Sequence, residues 1–126
     1  MIATPVHPET DFFARLRVQE AAFRAGLPAM LAAIASRHDR SSSVPDAACA
    51  GGLQQALHTL AGCAATFGYP RLGQEARALE QRLRVLQAFD RVPAGDWTAW
   101  FGQLDAMLAW AQVDPRLSCT TTTLKQ

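Results

Sequence analysis

His58 is the residue of this chain best suited to do chemistry. Histidine is nucleophilic near neutral pH because its ordinary pKa of about 6.5 leaves much of it as free imidazole. The neighbours of this one are unusual. Gln54 stands one helical turn before it, and Ala61, Gly62 and Ala65 stand one and two turns after it. Residues three and four apart are neighbours on a helix surface, so the imidazole is expected over a floor with almost no side chains. A glycine inside a helix costs about 1 kcal/mol relative to alanine, so Gly62 needs a reason. Open approach to a ring nitrogen supplies one. Phosphoryl transfer asks mainly for in-line position and nearby positive charge, and a bulky side chain one turn away would block the donor. Without a partner, the same pattern reads as a solvated histidine on a polar helix face.

The helix that must hold His58 is legible from its apolar period. Leu53, Leu57, Leu60, Ala64 and Phe67 cluster within about 40° of one direction, and His58 points roughly 140° away from it. This helix is expected from about residue 46, with Asp46 as its cap, to Phe67. Gly68-Tyr69-Pro70 is a stop-and-restart signal. A helix over about 70–89 follows, with a seam of Leu72, Ala76, Leu79, Leu83 and Leu86. Val92-Pro93-Ala94-Gly95 breaks it, and Asp96 is placed to cap a last helix to about 111, with Trp97, Phe101, Leu104, Leu108 and Ala111 inward. Ahead of these lies a helix over about 9–37, with Phe13, Leu16, Phe23, Leu27, Met30, Leu31 and Ile34 as its stripe. Pro28 inside it predicts a kink or a break near Gly26 to Pro28.

Short links force antiparallel neighbours. The expected fold is all-α, an antiparallel up-and-down four-helix bundle over residues 9–113, with an N-terminal extension at 1–8 and a flexible C-terminal tail at 114–126.

Composition narrows the function. The chain has 126 residues and a net charge of +1, with no electrostatic pull toward nucleic acid or membrane. No apolar stretch is long enough to span a bilayer, and no secretory signal opens the chain. Cys49, Cys63 and Cys119 are odd in number and widely spaced, which suits free thiols in a reducing cytoplasm. His7 and His38 lie in or beside loops without ligand-spaced partners, so no metal site is expected. Trp97, Trp100, Trp110 and Phe101 have the spacing of a packing face, with Trp100 or Trp110 able to reach the surface.

The run Leu57-His58-Thr59-Leu60-Ala61-Gly62, then Gly68, Leu72, Ala76 and Leu79-Glu80, resembles the histidine phosphotransfer (HPt) family. The upstream run Phe23, Leu27, Pro28, Leu31 and Ile34 is similar to that family's first long helix. The resemblance implies a phosphoryl carrier without independent catalysis. It implies that His58 is phosphorylated on its outer nitrogen and that Gly62 is the clearance glycine. The family's lysine three residues after the histidine is Ala61 here. The only lysine of the chain is Lys125, so any cation taking its place is an arginine. In related bundles the third helix returns to the level of the histidine about twenty to twenty-six positions later. Arg77 and Arg84 lie there, on the same side of the leucine seam. As plain surface charges, they would leave Arg84 paired with Glu80 at i,i+4.

The expected partner is the receiver domain of a response regulator, of a hybrid histidine kinase, or of both. The protein is expected to be monomeric and to need no cofactor of its own, with Mg2+ on the partner receiver. Gln54, Ala61, Gly62, Ala65, Arg77 and Arg84 would form the surface around the phosphoryl group. The competing expectation is an HPt-like binding module that regulates a receiver or partner enzyme by docking, without phosphotransfer. A purely structural helical domain of a larger assembly is a third.

Overall fold

A computed structural model describes residues 8–38 and 44–115. It contains four helices: α1 (Pro8–Ala35), α2 (Ala47–Thr66), α3 (Pro70–Gln87) and α4 (Ala94–Val113), with no strand among the described residues. The expected loop serines Ser41 to Ser43, the site-poor His7, Cys119 and most of both expected termini lie outside the described residues.

Local chemistry sets the helix ends. The Asp46 carboxylate accepts from the Cys49 N–H at 2.7 Å and caps α2; such a cap is worth about 1 kcal/mol. Gly68 takes a positive φ of 90°, which lets the chain leave α2. Pro70 then opens α3, where its missing N–H costs nothing. At α4 the expectation needs correction. The cap position is Pro93, not Asp96, which sits in the first turn with its N–H on the Pro93 carbonyl at 3.0 Å. Its charge still favours the helix N-terminus.

Helix α1 also departs from expectation. It runs through Gly26 and Pro28 as one element, so the expected break is absent, and a kink is not confirmed. Pro28 is exposed, so water can satisfy the carbonyl that loses its helical donor. The apolar stripe of α1 is buried from Phe23 onward through Leu27, Leu31 and Ile34, whereas Phe13 is 53% exposed. Phe23 closes that end of the core, its ring 5.5 Å from both Phe67 and Tyr69.

Between these ends, Leu53, Leu57 and Leu60 of α2, Leu72 and Leu83 of α3, and Leu104 of α4 are fully buried. Cross-helix bonds give the direction of the chain. Gln54 meets Gln87 and His58 meets Glu80, so α2 and α3 are antiparallel. The Trp100 indole donates to the Leu79 carbonyl at 3.0 Å, and one groove is lined by Glu75, Leu79 and Arg82 of α3 with Trp110, Ala106 and Gln103 of α4, a falling order that makes α3 and α4 antiparallel too. Trp100, expected as a possible surface residue, is 3% exposed; its one polar atom finds a backbone acceptor, which permits the burial. His38 is buried as well, stacked 4.4 Å from the Phe101 ring.

No described helix is long and apolar enough to cross a membrane.

Candidate functional site

The site lies on the edge where α2 meets α3. His58 projects from the middle of α2 with its side chain 63% exposed. Its Nδ1 lies 3.1 Å from Oε2 and 3.3 Å from Oε1 of Glu80. Glu80 is the surprise. Its side chain is only 6% exposed, beneath the imidazole. A buried carboxylate must be paired, and this one has two partners: His58, and Arg84 Nη2 at 3.3 Å. An ionised carboxylate can only accept, so Nδ1 carries the proton and the lone pair of the neutral ring resides on Nε2. Among the described residues Nε2 has no partner. The arrangement therefore fixes the ring's orientation, selects its tautomer and leaves the outer nitrogen open. It can attack an electrophile, and Glu80 can stabilise the positive ring that results.

The surrounding floor is partly as expected. A Cβ built on Gly62 meets nothing within 4 Å, so one turn beyond His58 the surface is open. Ala65 is exposed and Gln54 half-buried, its side-chain oxygen accepting from Gln87 Nε2 at 2.7 Å. Ala61 is a correction. It is not part of the open floor but 2% exposed, covered by α3. Beside it a Cβ added to Gly73 would lie 3.2 Å from both the Ala61 carbonyl oxygen and the Ala65 nitrogen. With no side chain at 73, the backbones of α2 and α3 close on each other beside the site.

Both arginines singled out in the sequence are exposed on α3. Arg84 is joined to the site through Glu80. Arg77 is on the same flank, and its side chain has no hydrogen bond or ion pair among the described residues. Sequence reasoning named Glu80 in the family pattern and as the i,i+4 partner of Arg84, a pair the structure contains, but missed its contact with His58. A signal was present. On a wheel of α3, Glu80 falls beside Gly73 on the flank turned to α2, short of the exposed arc, and antiparallel packing brings it level with His58.

The site is thus an outward, carboxylate-anchored imidazole on the second helix of an all-α bundle. Residues 12–112 match the Hpt domain family, and the chain belongs to that family. Comparison with curated proteins and with solved structures finds no match.

Proposed function

We propose that this protein relays a phosphoryl group between receiver-domain aspartates through His58. The observation that carries the reading is the ring that is mostly exposed while its inner nitrogen is held by a buried carboxylate. In the forward step Nε2 attacks the phosphorus of a receiver's aspartyl phosphate. A P–N bond forms, the P–O bond to the aspartate breaks, and the carboxylate leaves with the electron pair. The ring becomes a phosphoimidazolium whose Nδ1–H stays on Glu80, so no proton has to move. Transfer onward is the reverse, to a second aspartate. The metal ion and the acceptor carboxylate belong to the receiver in this reading, and Mg2+ suits that role.

Gln54, Gly62 and Ala65 form the face on which a receiver settles, and Arg77 and Arg84 rim it with positive charge that complements an acidic receiver site. Ala61, buried, supports this face from below.

The test is incubation with phosphorylated receiver domains, with phosphoramidate as a direct phosphodonor to histidine. The wild type acquires acid-labile, base-stable phosphate and His58→Gln acquires none. Equal labelling of the two would overturn the reading. Docking of a receiver without any labelling would make the protein a regulator by occupancy instead.

A further inference from the structure

We infer that Arg77 is the cation that neutralises the phosphoryl group on His58, supplied from α3 at the level where the facing residue of α2 is the short, buried Ala61. The inference rests on the phosphocarrier reading and adds to it a division of labour between the two arginines.

Register comes first. His58 lies opposite Glu80, and Gly73 lies against Ala61 and Ala65. In an antiparallel pair, level residues keep a constant sum of their numbers. The His58–Glu80 pairing therefore sets Arg77 opposite Ala61. Helical geometry comes next. Gly73, Arg77, Glu80 and Arg84 fall within roughly 60° on the wheel of α3. Gly73 and Glu80 both touch α2, so Arg77, between them in sequence, lies on the same rim and one turn from Glu80. The missing side chain at Gly73 lets this part of α3 close onto α2, and the residue of α2 level with Arg77 is the short Ala61.

Charge separates the two arginines. Arg84 is engaged with Glu80, whose carboxylate also holds the His58 ring. That pair keeps the carboxylate anchored. Arg77 has no such duty. Its i±4 neighbours are Gly73 and Gln81, neither of them acidic, and Glu80 at i+3 is already occupied. A guanidinium is permanently charged and presents a fork of donors matched to phosphate oxygens. A free guanidinium one turn from a phosphohistidine is thus available to the dianion as Arg84 is not. A lysine at position 61 would have to emerge past α3 at this same point, so a cation is accommodated from one helix or the other, not both.

The test is 31P NMR titration of phosphoramidate-labelled protein, together with transfer rates to a receiver. A nearby cation favours the dianionic phosphoryl group. In Arg77→Ala the phosphoryl titration midpoint rises and transfer slows roughly tenfold, the loss expected for one charge-assisted contact. Arg77→Lys retains most of both. In Arg84→Ala the midpoint moves less than in Arg77→Ala, and in Arg82→Ala, on the α4 side of α3, it stays at wild type. Ala61→Lys alone lowers stability, whereas Ala61→Lys with Arg77→Ala restores the titration and the rate, with circular dichroism checking that each variant folds. A wild-type titration in folded Arg77→Ala overturns the inference and leaves the phosphocarrier reading standing. Absence of label on wild-type His58 overturns both.

Discussion

Glu80 offers the sharpest test of how the imidazole is controlled. Its carboxylate holds the Nδ1 proton of His58 from a position 6% exposed to solvent. When Nε2 takes the phosphoryl group, the ring becomes positive, and the contact changes from an ion–dipole bond to an ion pair. The interaction therefore strengthens on the way to the transition state, and its loss falls on the rate rather than on docking. Glu80→Gln keeps an oxygen that accepts Nδ1–H but removes the charge. Hydrogen bonds to charged groups contribute about 1.5–3 kcal/mol and neutral ones about 0.5–1.5. A difference of about 1.4 kcal/mol is a tenfold loss in rate. Glu80→Leu removes the acceptor as well, frees the tautomer and leaves Arg84 without its partner, so the loss grows toward a hundredfold, on the order of 3 kcal/mol. Rapid-quench transfer from a radiolabelled receiver measures the rate, receiver binding measures docking, and 15N NMR of His58 reports which nitrogen carries the proton. Wild-type transfer by folded Glu80→Leu, or a loss confined to receiver affinity, would refute the role given to the carboxylate.

Other consequences are independent of that one. Gly62→Ala meets open space, so it should raise stability by about 1 kcal/mol and the melting temperature by about 4 °C; Gly62→Gln should fold equally well but lose receiver docking, and docking at full affinity would remove the clearance argument. Gly73→Ala should do the opposite, since its new methyl presses on the backbone of α2 at two points. A net cost of about 1 kcal/mol in urea unfolding is expected, and a gain would mean that the helices have room to part. Trp100→Phe keeps the ring but loses the bond to the Leu79 carbonyl, for a cost of about 0.5–1.5 kcal/mol with no change in the titration of phosphorylated protein.

The bundle was legible because its apolar residues keep one period. The seams of α2 and α3 are buried where spacing placed them, except that Phe67 and Leu86 at their C-terminal ends are half-buried, and His58 stands outward as the wheel requires. What escaped depends on how the helices lie against one another. Ala61 and Ala65 look alike in sequence, both small and both near His58. Only the packing of the helices makes Ala61 interior and leaves Ala65 exposed. Glu80 is charged, so it reads as surface until a register puts His58 above it. Phe13 shares the period of the α1 core yet remains exposed, because a stripe does not reveal where its partner helices end. Asp96 was a good cap by type, but the backbone enters α4 earlier, at Pro93.

These displacements share one consequence for recognition. Helix α2 carries His58 but contains no Asp, Glu, Lys or Arg. A receiver meeting α2 alone would find an imidazole, glycine and small or amide side chains, with nothing to steer it electrostatically. Among the described residues the charge at His58 comes from α3: Glu80 below, with Arg84 paired to it, and Arg77 one turn away on the same helix. Helix α3 is in turn held by Gly73 on one side, through the close approach to α2, and by the Trp100 bond to Leu79 on the other, one residue from Glu80. For the proposed relay, the neutral helix would provide shape and clearance and the charged helix the field. Exchanging exposed residues of α3 should then alter receiver choice and its salt dependence, whereas exchanging exposed residues of α2 should alter contact without altering that dependence.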